Sequence, residues 1–199
     1  SSGTFIRSWG RDVIAPGGLG DTGSGFEICT AAASCKGGTV GELGGELNAP
    51  EGMAIDTVGN LYVADEGRIW RFEPDGGKTS IAGNGTRGLA GDGGQATSAQ
   101  LGGHGDFAFD AAGNLYISEY DNGVRVVTPD GRIDTLGGIG REGYSGDGGP
   151  ARLAAFGAPH GLDALADGTV IVADSHNSVI RRVDGATRIV TTIARGFSA

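Results

Sequence analysis

One phrase recurs and constrains the whole chain: Gly59-Asn60-Leu61-Tyr62-Val63-Ala64-Asp65 returns as Gly113-Asn114-Leu115-Tyr116-Ile117-Ser118-Glu119 and, more loosely, as Gly168-Thr169-Val170-Ile171-Val172-Ala173-Asp174. The starts lie 54 and then 55 positions apart (59 to 113, 113 to 168). Each copy reads as a turn followed by one strand, because glycine supplies a permissive backbone and the β-branched and aromatic residues after it suit a pleated, buried surface. Each strand stops at a carboxylate. A repeated supersecondary unit of this length cannot bury its apolar faces alone, so neighbouring units must stack, and the spacing is that of a propeller blade. The predicted fold class is all-β, a β-propeller of four-stranded blades.

Glycine is the compositional extreme, 41 residues of 199 with 6 prolines, yet the glycines fall at repeating positions and read as turns rather than low complexity. With 15 basic and 24 acidic residues the net charge is −9, which opposes unspecific binding to nucleic-acid backbones or anionic lipid. No apolar run is long enough to span a bilayer as a helix. A start at Ser1 without a signal-like segment suggests a processed, tagged or excised product. The two cysteines, Cys29 and Cys35, lie in a Gly/Ala/Ser-rich loop; a disulfide stapling that loop is the favoured reading, with two free buried thiols as the alternative. That pairing points to an extracellular, periplasmic or cell-surface location.

The chain divides into residues 1–46, an N-terminal strand and glycine-rich loop belonging to the propeller, and three blades at 47–100, 101–155 and 156–199. Thr4-Phe5-Ile6-Arg7-Ser8-Trp9-Gly10 alternates as one short strand. The first blade is predicted to place strands at 53–56, 61–64, 68–72 and 79–83. The second places them at 107–110, 115–118, 124–127 and 132–136, and the third at 161–165, 170–173, 179–183 and 188–193. A second phrase links the blades, Gly88-Leu89-Ala90-Gly91-Asp92-Gly93-Gly94-Gln95-Ala96 and its match Gly143-Tyr144-Ser145-Gly146-Asp147-Gly148-Gly149-Pro150-Ala151. Small helical turns at 96–100 and 151–155 should then deliver the chain to the next inner strand.

These phrases resemble NHL repeats, a family of β-propellers. The resemblance covers residues 47–195 and rests on Ala-Pro-Glu-Gly-Met-Ala-Ile-Asp at 49–56, Gly-Asn-Leu-Tyr-Val-Ala-Asp at 59–65, Ala-Asp-Ser-His-Asn-Ser-Val-Ile-Arg-Arg at 173–182 and both Gly-Asp-Gly-Gly loops. Residues 5–45 are similar to the opening of such propellers in bacterial surface or secreted proteins. The chain departs from the pattern at Glu66-Gly67, where the first unit loses the Asn, and at Ser178, which stands where the name-giving His would be. The resemblance implies a ring of more than three blades. The chain is then a fragment, a reduced four-unit ring, or half of a ring completed by a second copy, and an open arc should self-associate.

In a propeller the segment leading into each innermost strand lies at the mouth of the central channel. Spacing puts Pro50-Glu51-Gly52, His104-Gly105-Asp106 and Pro159-His160-Gly161 in register, so Glu51, His104, Asp106 and His160 are candidate ligand-binding residues. Imidazole and carboxylate from neighbouring blades could hold a divalent cation, zinc or calcium, with His104, His160 and Glu51 as ligands. The alternative is polar loop residues bonded to backbone. Peptidyl-hydroxyglycine lyases are similar propellers with channel histidines, and Pro159-His160-Gly161 looks like one such position.

Asp65, Glu119 and Asp174 form a second set, able to face one another as a cation site or an acid/base pair, or to accept hydrogen bonds from the following turn. Asp92 and Asp147 lack the successive oxygen ligands of a calcium cage and read as turn residues. His176-Asn177 reads as a turn in which Asn tolerates left-handed geometry. Trp9, Trp70, Phe5, Phe72, Phe107 and Phe109 are expected to fill the space between blades. The leading functional expectation is a binding or interaction module for a protein, glycan or small ligand, as part of a homo-oligomer or a larger ring; the alternative is a metal-assisted lyase or hydrolase acting in the channel.

Overall fold

The computed structural model describes residues 47, 50–56, 59–73 and 78–196. The expectations for residues 1–46, including the Phe5 to Gly10 strand and the Cys29/Cys35 clip, lie outside the described residues. Among the described residues twelve strands form three antiparallel sheets of four. The first contains β1 (Pro50–Ile55), β2 (Leu61–Asp65), β3 (Arg68–Phe72) and β4 (Lys78–Ala82), in that order. The second contains β5 (His104–Phe109), β6 (Leu115–Glu119), β7 (Gly123–Val127) and β8 (Ile133–Gly137). The third contains β9 (Pro159–Ala164), β10 (Val170–Asp174), β11 (Val179–Val183) and β12 (Val190–Arg195). These are the blades of a β-propeller. Blades 1 and 3 both pack on blade 2, and the first strands β1, β5 and β9 lie side by side along the inner edge.

Side chains alternate across each sheet, which gives every blade a leading face toward its predecessor and a trailing face toward its successor. Tyr62, Ala64, Ile69 and Ala82 on the trailing face of blade 1 are buried with Phe107, Leu115, Ile117, Val127 and Ile133 on the leading face of blade 2. Tyr116, Val124 and Leu136 on the other side of blade 2 are buried with Leu162, Val170, Val172, Val183 and Val190 of blade 3. Each of the Val, Leu, Ile and Phe side chains among them contributes about 1.5–3 kcal/mol on leaving water, so the two seams carry most of the cohesion. The predicted aromatics behave differently from one another. Phe107 fills the first seam, and Phe109 meets Tyr62 there at 4.7 Å between ring centroids. Phe72 and Trp70 instead belong to the leading face of blade 1, where Lys78 Nζ sits 4.0 Å over the Trp70 ring.

The glycine-rich links staple adjacent blades. Gly83 and Asn84 of blade 1 donate their N–H groups to Ala96 and Ala99, while Gly93 and Ala96 donate to Ile133 and Gly131 of blade 2. The second link repeats this with Gly138 to Ala151, Gly148 to Val190 and Ala151 to Arg188. The predicted helical turns are shorter than expected, single 3-10 turns at Ala96–Ser98 and Ala151–Leu153, because the next residue of each is already extended. Gly91 and Gly146 have φ of 112° and 94°, and a Cβ on either would lie 2.7 Å or 2.6 Å from the methyl of Ala99 or Ala154. Only glycine serves there.

At the opposite end of the blades the Gly-Asn phrase forms its turn around a carboxylate. Asp110 accepts hydrogen bonds from the N–H groups of Ala112 and Asn114, from Asn114 Nδ2 and from the Tyr116 hydroxyl. Asp56, Asn60 and Tyr62 repeat the arrangement. Blade 3 has lost it, with Leu165, Thr169 and Ile171 at the three positions.

Candidate functional site at the inner rim

The three inner strands begin earlier than predicted, at Pro50, His104 and Pro159, because each carries a one-residue bulge. Pro50 pairs with Asp65 but Met53 with Val63; His104 pairs with Glu119 but Phe107 with Ile117; Pro159 pairs with Asp174 but Leu162 with Val172. The extra residues fall in the three segments aligned by spacing, so the candidate side chains lie in equivalent bulges. A bulge re-aims side chains and is common beside functional sites.

The second and third bulges interlock. A Cβ on Gly105 would come within 2.4 Å of the His160 carbonyl oxygen, so glycine is required for the two strands to approach. The buried Ser118 hydroxyl donates to that same carbonyl at 2.6 Å and accepts from the Asp106 N–H at 2.8 Å. Asp106 accepts from Phe107 N and, across the seam, from Leu162 N at 3.4 Å. Asp106 therefore holds the seam. The His160 side chain is exposed, and its ring rests on Tyr120, centroids 4.3 Å apart and planes 34° apart. Tyr120 is itself 37% exposed and is anchored by its N–H to the Gly103 carbonyl at 2.7 Å. Gly103 leaves room for Tyr120 and the Arg87 guanidinium together. Glu51 is exposed in the first bulge. The His104 side chain lies outside the described residues. Among the described residues no group of three His, Cys, Asp or Glu side chains could hold a metal ion.

Glu119 and Asp174, two of the strand-ending carboxylates, are engaged in the seams. Asp174 is fully buried and accepts from Gly157 N at 2.6 Å and from Asn177 Nδ2 at 2.9 Å, with Arg181 Nη1 at 3.6 Å. Glu119, equally buried, accepts from Gly102 N at 3.3 Å. The main backbone partner is thus the incoming link, not the following turn as expected, because the carboxylate shares the leading face with that link. Asp65 is buried at the corresponding place in blade 1.

Behind these carboxylates lie two buried arginines that the sequence reading missed. Arg125 donates to Asp92 Oδ1 at 2.9 Å, and Arg181 donates to Asp147 Oδ1, also at 2.9 Å, and to the carbonyls of Ala155 and Ser145. Both arginine side chains are completely buried. Arg181 lies against the rings of Phe156 and Tyr144, 4.9 Å and 5.1 Å from their centroids. Asp92 and Asp147 are therefore the outer partners of buried cations, a stronger role than a turn alone. The signal was present: Trp70 replaces the arginine in blade 1, whose preceding link has no Gly-Asp-Gly-Gly phrase.

Two carboxylates of the seams are displaced in opposite directions. Burial pushes the Glu119 carboxyl up to about 8, against the opposing Arg125 charge and Gly102 N–H and with help from Asp121 and Asp92. Its Oε2 has no hydrogen-bond partner, and the Nε atoms of Arg125 and Arg181 alike have none. Burial also acts to raise Asp147, but Thr192, the Arg181 charge and the Tyr144 hydroxyl hold it below the ordinary carboxylate range. At the turn after β10 the left-handed residue is Ser178, φ 51°, rather than Asn177, whose amide bridges Asp174 and the Gly143 carbonyl. His176 meets Glu142 at 3.0 Å on the surface.

With the fold established as a β-propeller, relationships to known proteins can be placed on it. Residues 39–72 match the family described as strictosidine synthase-like, N-terminal. No curated protein matches the chain by sequence. A protein of unknown function from Bacteroides thetaiotaomicron is similar in structure, with a TM-score of 0.58 and 21% identity over 75% of this chain and 36% of its own. A catalytically inactive virginiamycin B lyase from Staphylococcus aureus, solved with quinupristin, gives a TM-score of 0.50 and 15% identity over 75% of this chain and 42% of its own. The chain thus spans well under half the length of these two structures. Among the described residues no helix is long and apolar enough to cross a membrane.

Proposed function

We propose that this chain is part of an NHL-type propeller that serves as a binding module, taking a protein, glycan or small ligand on the rim where β1, β5 and β9 begin. The observation that carries this reading is the exposed His160 ring resting on the exposed Tyr120 ring at an inner-strand bulge. Asp106, Glu119 and Asp174 are engaged in the seams, whereas His160, Tyr120 and Glu51 present unburied chemistry on one rim. Two rings in contact, tilted to one another, offer an apolar surface with polar edges, suited to a sugar ring or an aromatic side chain. A panel of immobilised oligosaccharides and peptides tests the reading. His160→Ala and Tyr120→Ala should each weaken a captured probe about tenfold or more without lowering the melting temperature, as loss of ~1.5 kcal/mol of stacking requires. Binding that survives both substitutions refutes it.

The second reading is a lyase or hydrolase, favoured by the exposed imidazole of His160 and by the likeness of fold to a lyase. In that reading Glu51, His104 and His160 hold a zinc or calcium ion. Elemental analysis and melting with added zinc or calcium separate the two: a stoichiometric metal that Glu51→Ala with His160→Ala abolishes supports the enzyme. An extracellular or cell-surface location fits either reading.

A further inference from the structure

We infer that a cleft of about 260 Å³ between the two glycine-rich links binds a phenol, whose ring rests on Leu89 and Ile139 and whose hydroxyl donates to Asp92. Leu89 and Asp92 come from the first link, Gly123, Thr135 and Gly138 from blade 2 and its exit, and Arg152 from the second link. Every lining residue belongs to blade 2 or to the links on either side of it. His160, Tyr120 and Glu51 take no part, so the site is separate from the rim.

The second seam fills the equivalent place with a phenol of its own. Tyr144, which matches Leu89 in the linking phrase, meets Asp147 Oδ2 through its hydroxyl at 3.1 Å and Thr192 Oγ1 at 2.9 Å. The guanidinium groups of Arg181 and Arg195 lie 5.1 Å and 5.2 Å from the centre of its ring. Strand pairing makes the buried Val179 the counterpart of Gly123, and Arg195 the counterpart of Gly138. Tyr, Val and Arg have thus become Leu, Gly and Gly, and the cleft stands where those side chains would be. The polar anchors are kept, since Asp92 matches Asp147 and Thr135 matches Thr192.

Asp92 retains an acceptor for such a hydroxyl. Its Oδ1 accepts from Arg125 at 2.9 Å and from Thr135 Oγ1 at 3.1 Å. Among the described residues its Oδ2 accepts from Arg152 alone, at 3.3 Å, and that side chain is 62% exposed. The two guanidinium groups disfavour a ligand ammonium and the carboxylate disfavours an anion, which leaves a neutral O–H donor; its bond to an ionised oxygen belongs to the stronger class. Half-buried Leu89 and Ile139, 46% exposed, give the apolar flank that suits an aromatic ring. Beside the same cleft Glu119 Oε2 is buried without a partner, 3.6 Å from where a Cβ on Gly123 would lie, whereas both oxygens of its counterpart Asp174 are bonded.

Methyl NMR titrations of the full chain with p-cresol, toluene and N-acetyl-tyrosinamide test this. The resonances of Leu89 and Ile139 should shift with p-cresol along one saturable curve while those of Leu165 on blade 3 stay fixed. Toluene should bind at least about tenfold more weakly, since it lacks the donor to a charged oxygen. Leu89→Tyr should abolish p-cresol binding, because it builds into the first seam the group that Tyr144 supplies in the second. Should that variant fail to fold, Thr135→Val, which keeps the shape and removes an anchor, should weaken p-cresol about fivefold. N-acetyl-tyrosinamide binding as tightly as p-cresol assigns the site to a tyrosyl side chain of a partner, and binding of p-cresol alone assigns it to a free phenol; both support the inference. No saturable shift at Leu89 and Ile139 up to about 10 mM p-cresol overturns it, as does toluene binding equally well or undiminished binding to Leu89→Tyr.

Discussion

Replacing Glu119 with Gln should stabilise the protein above pH 4.5, and by an amount that grows with pH. Glu119 is buried in the first seam with one oxygen unpartnered, and its folded pKa of about 8 stands above the ordinary value of 4.5. A carboxyl whose pKa is raised by folding binds its proton more tightly in the folded state, so the unfolded state gains as pH rises. The cost is absent below pH 4.5, accumulates through the interval to about 8, and is constant beyond. Each unit is worth about 1.4 kcal/mol, which places the cost at ~3 kcal/mol at pH 7 and ~5 kcal/mol above pH 8. Gln keeps the carbonyl that accepts from Gly102 and never ionises. Urea denaturation of both proteins at pH 4, 7 and 9 isolates the effect, since every other titrating group cancels in the difference. Near-equality at pH 4 and a variant more stable by ~3 kcal/mol at pH 7, or roughly 6–12 °C in melting temperature for a chain of this size, is the expected result. A variant that loses stability relative to wild type as pH rises would refute the reasoning, since Arg125 would then outweigh desolvation.

Arg181→Met should cost about 3–5 kcal/mol in denaturant melts, because it leaves buried Asp174 without its cation. The same change at Arg125 should cost less at neutral pH, since Glu119 is then largely protonated; a loss as large would argue that Glu119 is ionised there. Gly105→Ala should destabilise by about 1–3 kcal/mol, because its Cβ would collide with the His160 carbonyl and the Ser118 hydroxyl. An unchanged denaturation midpoint would mean that the second and third bulges are not held together as described.

The blade pattern was legible because it rests on local chemistry. Residues 59–65, 113–119 and 168–174 each advertise a turn and an alternating strand, and two-residue periodicity together with the Gly-Asn turns sets strand order and spacing. The alignment of Glu51, Gly105 and His160 was legible too, since equal spacing in a repeat places equivalent residues at equivalent points. Their fates were not. Asp106 went to the seam and His160 to the surface, because Leu162 N and the Tyr120 ring come from elements 56 and 40 residues away in the chain (106 to 162, 120 to 160).

What the sequence determined by itself was therefore the repeating unit, because turns and alternating strands depend on neighbours within a few positions. Tertiary structure alone decided which polar groups serve the seams: Arg125 and Arg181 lie in alternating strands, and only stacking against the Asp92 and Asp147 loops makes them buried. Desolvation is a property of what lies overhead. The same contact that buries Glu119 beside Arg125 sets its proton affinity, and no run of adjacent residues encodes that distance.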